Sequence, residues 1–320
     1  MVRIASYVAA LSLTICASAV AQDYVLGNWE GTWGGGAIAA KIVPESAVLC
    51  RAFLTDEESG TTATVEGRKR GKEFVFTGEV TLGKGKKTAY TLNATAQQED
   101  LSGRLTGGEH AGAITLTRVY KKSPTLGERP PAGAAVLFGG QNLDAWHPVP
   151  RWHVTADGTM ELSSGNIVSK QEFGDAKIHV EFASPLKPSA RGQGRGNSGV
   201  YVHGRYEIQV LDSFALEGLD NECGGIYRIA APKVNMCLPP GEWQTYDITF
   251  QAPHFDASGK KTKNAMMTVL HNGVAIHENL DVPKVTAHGI GEEEGATGPL
   301  LLQDHDDKVN FRNVWVLPLD

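Results

Sequence analysis

Glu207, Gln209 and Asp212 lie in the run Tyr206-Glu207-Ile208-Gln209-Val210-Leu211-Asp212, in which polar and apolar residues alternate. Alternate side chains of a β-strand share a face, so Glu207 and Gln209 point the same way. Asp212 falls on the other face of a regular strand, and one bulge between Gln209 and Asp212 returns it to their side. Two carboxyl groups facing one bond are what glycosidic cleavage commonly uses, one as general acid and the other as nucleophile or base. The plainer alternative is a polar strand face packed under a loop.

Other polar residues surround this run in sequence. Asn197 to Val202 reads as a preceding strand, turning at Gly204 and bringing His203 and Arg205 to the bend. His305 belongs to the loop Gln303-Asp304-His305-Asp306-Asp307, where it either faces a ligand or steadies the turn through Asp304. The acids of that loop could hold a calcium ion, but the EF-hand pattern is absent and a solvated turn is the better account of them. His179 and Glu181 share a strand face and, with His203, could bind a metal; an ordinary polar face is the simpler reading. Gly194-Arg195-Gly196-Asn197-Ser198-Gly199 matches G-x-G-x-x-G by letter, yet a strand follows it, so no helix N-terminus is there to cradle phosphate. Ser198 lacks the G-x-S-x-G setting of a serine nucleophile. Trp146, Trp152 and Trp243 could stack on sugar rings or fill a core; Trp243 is the one expected near the site. Arg312 could stabilise an oxyanion or pair with a structural carboxylate.

The elements that must position these residues are strands. Lys177 to Phe182 alternates with Ile178, Val180 and Phe182 on one face, and Thr245 to Phe250 does the same. Met266 to Ile276 reads as a hairpin turning at Asn272-Gly273, a pair suited to a type I′ turn. Leu300–Gln303 and Asn310–Leu317 form a last pair. Residues 22–120 carry similar short runs, such as Val75–Val80, Thr88–Asn93 and Ala113–Val119, broken by glycine. Many short strands without helical windows mean an all-β fold: a C-terminal sandwich preceded by a smaller antiparallel barrel or sandwich. Pro, Gly and charge without periodicity at residues 121–134 read as a linker between residues 22–120, an accessory domain, and residues 135–320.

The ends and the composition bound the setting. Arg3, the apolar stretch Ile4–Ile15 and Ala19-Val20-Ala21 form a signal peptide, residues 1–21, implying a periplasmic or secreted protein. A lipid anchor through Cys16 is disfavoured by the bulky residues before it. No later run is long and apolar enough for a membrane helix. The net charge of −6 argues against nucleic acid, which needs a basic face. Of the three remaining cysteines, Cys223 and Cys237 are expected to pair, a closure worth about 3 kcal/mol in the chain-entropy model. Cys50 is expected to be a buried free thiol.

Two resemblances add to these readings. The string from Glu207 to Asp212 resembles the E-x-D-x-x-E strand of laminarinase-type sandwich glucanases. It departs from that pattern at Gln209, where tuning by a central acid is lost. The whole segment from Ala135 onward resembles the 3-keto-disaccharide hydrolase domain family. The pieces recur in order: Leu137-Phe138-Gly139-Gly140-Gln141-Asn142-Leu143 with Trp146, Asn197-Ser198-Gly199, Tyr206 to Asp212, and Gly225-Ile226-Tyr227. Pro239 to Trp243, Gly298 to His305 and Phe311-Arg312-Asn313-Val314 follow. This resemblance implies a concanavalin A-like sandwich (jelly roll) and a saccharide ligand whose ring carries a ketone at position three. Cleavage beside such a ketone needs a base, an acid for the leaving oxygen and a group to hold the enolate charge; Glu207, with Asp212 or His305 as its partner, is the catalytic candidate, a role that the resemblance itself does not fix. Arg205, Gln209, Asn197, His203, Tyr227, Trp243, Gln303 and Arg312 are the substrate-binding candidates. No cofactor is required, and a sugar 3-dehydrogenase must act upstream. Because such sandwiches also serve lectins, a non-catalytic carbohydrate-binding module is the alternative, and an export-side structural protein a third.

Overall fold

The computed structural model describes residues 25–83, 88–149, 152–161 and 165–319; the expected signal peptide lies outside the described residues. Among these residues there is no α-helix, and one 3₁₀ turn occurs at Gly192–Gly194. Eight consecutive antiparallel strands, from Gly27–Trp33 to Gly112–Val119, pair with their chain neighbours and close first against last into a barrel. Closure leaves no open edge. Inward residues of the alternating strands fill the interior, among them Trp29, Phe74, Phe76, Tyr90, Leu105 and Ile114. Cys50 lies in this core as a free thiol, its sulfur 3.7 Å from the Gly67 carbonyl, and burial pushes its pKa up to about 12.

Two sheets of the second half stack face to face. One joins Ile167–Phe173, Gly298–Leu302, Ser198–Val202 and Tyr206–Val210, in that order. The larger sheet runs Asn310–Pro318, Ala176–Ala183, Gln244–Gln251, Ala265–His271 and Val274–Val282, with short strands added at its first edge. Ile178, Val180, Phe182, Tyr246, Ile248 and Phe250 on one sheet meet Val200, Val202, Tyr206, Ile208, Leu300 and Leu302 on the other. The two sheets thus share one apolar interior, as sandwich packing requires. Asn272 and Gly273 both take positive φ, 51° and 79°, which is the type I′ turn expected of that pair.

The segment between the domains does more than connect them. Alternation turns His179 and Glu181 out of the core, and residues 123–128 seat on top of them. Ser123 Oγ lies 2.6 Å from Thr245 Oγ1, Thr125 Oγ1 donates to Asp247 at 2.6 Å, and the Gly127 amide donates to Glu181 at 2.5 Å. Underneath, His179 Nδ1 is 2.6 Å from Asp247 and Nε2 3.5 Å from Glu181, while Arg312 Nε and Asn313 Nδ2 donate to Glu181 at 2.7 and 2.9 Å. Among the described residues, Glu128, His179 and Asp247 are the group whose ligand atoms lie within 4.8 Å of one another. His203, the third member expected from the sequence, is elsewhere, with its ring against Phe250.

Burial by itself lowers the His179 pKa, but bonds and charges from Asp247 and Glu181 outweigh it and hold the imidazolium to about 9. Burial likewise raises Glu181, and the donors from His179, Asn313, Gly127 and Arg312 overcome it, leaving the carboxyl at about 2. A raised histidine pKa gives stability that is complete below its unfolded value of about 6.5 and is lost as pH rises through about 9. His179→Gln should therefore cost about 3 kcal/mol at pH 6, the usual scale for breaking a buried pair. The difference from wild type should shrink by pH 9.5, as read by urea unfolding at the two pH values.

Candidate active site

Tyr206, Ile208 and Val210 point into the sandwich core, which leaves Glu207 and Gln209 on the opposite face of the four-stranded sheet. The adjoining strand pairs Tyr201 with Glu207 and Gly199 with Gln209, so those two residues present the same face. Val210 and Leu211 both belong to the core, so the alternation is reset before Asp212.

Glu207 is 2% exposed. Its one hydrogen-bond partner at the carboxyl, among the described residues, is the Tyr201 hydroxyl, which donates to Oε2 at 2.8 Å. Gln303 Nε2 donates to the same hydroxyl at 3.0 Å, and the Ala287 carbonyl lies 3.1 Å from it. The backbone is fixed by the Glu207 amide donating to Thr286 Oγ1 at 3.0 Å and by the Tyr227 amide donating to the Glu207 carbonyl at 3.2 Å. Gly199 leaves the space the carboxyl occupies, since a Cβ there would stand 2.6 Å from Oε1. Burial pushes the Glu207 pKa up to about 7, with the Tyr201 bond only partly opposing it. Burial and the neighbouring Glu207 push the Tyr201 phenol well above its ordinary value. A carboxyl that exchanges its proton near neutrality is suited to act as acid or as base.

The flank of the site is braced by amides. Gln209 Nε2 lies within hydrogen-bond distance of Asn197 Oδ1 at 2.8 Å and of the Ser198 and Val210 carbonyls at 2.8 and 3.0 Å. The Asn197 amide donates to Asp307 at 2.8 Å, and Asp307 also pairs with Lys187. Asp304 accepts the Gly165 amide at 2.5 Å and the Asp306 amide at 3.0 Å. Two acids of the 304–307 loop, Asp304 and Asp307, thus have protein partners. His305 stands exposed in that loop. Asp212 is neutralised by Arg195, 3.0 Å away, although burial still raises its pKa.

Glu207, Gln209, Asn197, Gln303 and the Tyr227 backbone are brought together. Others are not. Arg205 Nη1 donates to the His203 carbonyl at the turn, and His203 Nε2 lies 3.2 Å from the Gly174 carbonyl. Trp243 and Arg312 stack on each other, 4.1 Å from guanidinium carbon to ring centre, on the face of the larger sheet where Glu181 holds Arg312. Cys223 and Cys237 correct the expected disulfide: both are buried free thiols. Cys237 Sγ lies 3.6 Å from the Leu211 carbonyl and 3.4 Å from that of Leu238, and Cys223 Sγ 3.2 Å from Tyr246 Oη. Bridging the sulfurs would remove the S–H groups that make these contacts. Tyr201 and Gly199 are the site residues that sequence reasoning missed. A glycine inside a strand, marking close approach, was the available signal.

Residues 133–317 match the family profile described as the 3-keto-alpha-glucoside-1,2-lyase-like domain. The chain belongs to this family. A candidate glycosyl hydrolase from Parabacteroides distasonis of known structure is 35% identical over 59% of this chain and 84% of that one, with a TM-score of 0.54. A second candidate glycosyl hydrolase from the same organism is 20% identical over 59% of this chain and 95% of its own, with a TM-score of 0.45. Comparison with curated proteins finds no match. The family domain contains every residue gathered around Glu207.

A carboxyl with a raised pKa contributes stability that is complete below its unfolded value of about 4.5 and is lost as pH rises through about 7. Glu207→Gln, neutral at every pH, should match wild type at pH 4.5 and exceed it by about 2 kcal/mol at pH 8. Melting curves at the two pH values should show a gain of about 5 °C at the higher one alone. Gly199→Ala should displace both the Glu207 carboxyl and the Tyr201 ring, whose Oε1 and Cε2 would stand 2.6 and 2.9 Å from the new Cβ. We expect a melting temperature lower by about 5 °C, from overpacking a buried site, and catalytic turnover at least about tenfold lower, the scale of a misplaced acid–base group.

Proposed function

We propose that this protein is an exported enzyme that cleaves the glycosidic bond of 3-keto-glycosides, with Glu207 as the acid–base residue. The observation that carries this reading is a buried carboxyl, without a cationic partner among the described residues and with its pKa raised to about 7, in a sandwich of this family. A ketone at ring position three acidifies the hydrogen on carbon two. Ionised Glu207 takes that proton, and the electron pair left behind delocalises onto the ketone oxygen as an enolate. The enolate then expels the glycosidic oxygen from carbon one, forming a double bond between carbons one and two. The departing oxygen needs a proton, and protonated Glu207 can return the one it took. Water adding across the new double bond completes a net hydrolysis.

The family's description as a 1,2-lyase-like domain favours this eliminative order over direct displacement. So does the chemistry of the neighbourhood. Direct displacement with a retaining or inverting outcome uses two free carboxyl groups, whereas Asp212 is paired with Arg195. The ketone would have to be installed beforehand by a sugar 3-dehydrogenase.

Sugar release from a 3-keto-disaccharide and from its unoxidised parent, by wild type and Glu207→Gln, tests the reading. Wild type should cleave the keto-sugar alone, and the variant should lose at least about a hundredfold in turnover while still binding it. Equal cleavage of both sugars would indicate ordinary glycosidase chemistry. Binding without cleavage of either would make the protein a carbohydrate-binding module.

A further inference from the structure

The Tyr201 hydroxyl has one proton to give and can accept two. Three groups surround it: Glu207 Oε2, Gln303 Nε2 and the Ala287 carbonyl, at 2.8, 3.0 and 3.1 Å. With Glu207 ionised, the phenol proton goes to the carboxylate and the Gln303 amide donates to the phenol oxygen. With Glu207 protonated, the carboxyl O–H donates to the phenol oxygen, and the phenol proton swings to Ala287. Gln303 donates in both states. Turning the Gln303 amide over would set three acceptors against one proton, so the network itself fixes which end faces Tyr201.

That orientation leaves Gln303 Oε1 buried, with no hydrogen-bond partner among the described residues, in a side chain 7% exposed. The residue cannot readily shift to find one. Its amide donates to the Gly199 carbonyl at 2.9 Å, and its carbonyl accepts from Ser198 Oγ at 2.7 Å. A fixed, buried acceptor without a protein donor is costly, and a ligand O–H would relieve that cost.

We propose that Gln303 couples the sugar to the acid–base group: Oε1 accepts a ring hydroxyl of the saccharide, while Nε2 holds Tyr201 where it can take up either proton state of Glu207. The saccharide part rests on the function proposed above; the Tyr201 part does not. Tyr201 acts through Glu207 and is a positioning residue. Gln303 is a specificity residue, and it selects a free hydroxyl: a ketone oxygen, which only accepts, is rejected there. The ketone of the substrate therefore lies away from Gln303.

Two measurements on the full-length protein test this. Infrared titration of the protonated carboxyl band, assigned by its loss in Glu207→Gln, needs no ligand. In Tyr201→Phe the midpoint should rise by about one pH unit or more, since the ionised carboxylate loses its donor. Should that variant fail to fold, replacing tyrosine throughout by 3-fluorotyrosine, a stronger donor, should lower the same midpoint. An unmoved midpoint overturns the positioning role of Tyr201. In calorimetry with 3-keto-glucose and its monodeoxy derivatives, one deletion should weaken binding to wild type about tenfold. Gln303→Met should bind 3-keto-glucose about tenfold more weakly and be indifferent to that deletion. A Gln303→Met protein that discriminates as wild type does overturns the hydroxyl contact. Absence of saccharide binding by wild type overturns it together with the proposed function, while the infrared titration still decides the Tyr201 relay.

Discussion

A carboxyl withdrawn from water with one phenol for company is the constraint on which the site depends. Its meaning is clearest beside Glu181, which is buried as fully, on a strand of the same sandwich, by the same alternation. Glu181 receives donors from Arg312, Asn313, the Gly127 amide and His179, and its pKa falls to about 2. Glu207 receives one neutral donor and rises to about 7. Desolvation pushes both upward, so the difference comes from the partners. One sheet face uses its glutamate as a permanent anion that fastens the chain; the other keeps a glutamate that can change its charge.

Keeping cations away from Glu207 shapes the surroundings. Arg195, on the loop nearest the site, is occupied by Asp212; Arg205 is turned to the His203 carbonyl; Arg312 lies on the other sheet. The acids that could have repelled Glu207 are occupied as well, Asp307 by Lys187 and Asp304 by backbone amides. Among the described residues, what remains around the carboxyl is neutral: the Tyr201 phenol that bonds to it, the Gln303 amide behind that phenol, and Gly199. Such a group is destabilising when ionised, which is the familiar trade between stability and a reactive carboxyl.

Alternation made half of this legible in the sequence. It placed Ile178, Val180 and Phe182 in the core, set Glu207 and Gln209 on one face, and marked Asn272-Gly273 as the hairpin turn. Tyr201 escaped because its relation to Glu207 is across the ladder, and register is not written in either strand alone. The same limit applies to Arg312: its pattern put it outside the core, but only the sheet order puts it beside Glu181. The spacing of Cys223 and Cys237 permitted a bridge, yet spacing says nothing of which oxygens their hydrogens serve. Residues 121–134 have the prolines, glycines and charges of a free linker, and the few small residues among them, Ser123, Thr125 and Gly127, are what seats 123–128 on a sheet.

The barrel enters the site indirectly. Its interior is filled by its own aromatic residues, so its influence runs through its outer surface. Arg191 donates to the Glu45 carbonyl of the barrel at 2.8 Å and pairs with the Glu45 carboxylate, at the entry to the loop that leads to Arg195 and Asn197. Lys41 stands over the Phe214 ring, two residues beyond Asp212. Asn197 fixes Gln209, and Arg195 fixes Asp212, so both ends of the Glu207 strand's polar flank are reached from the loop that the barrel steadies. Exposed ion pairs of this kind are individually weak. Their effect here is geometric: they limit how far the loop can move, and a site whose acid–base group works through hydrogen bonds near 2.8 Å tolerates little displacement.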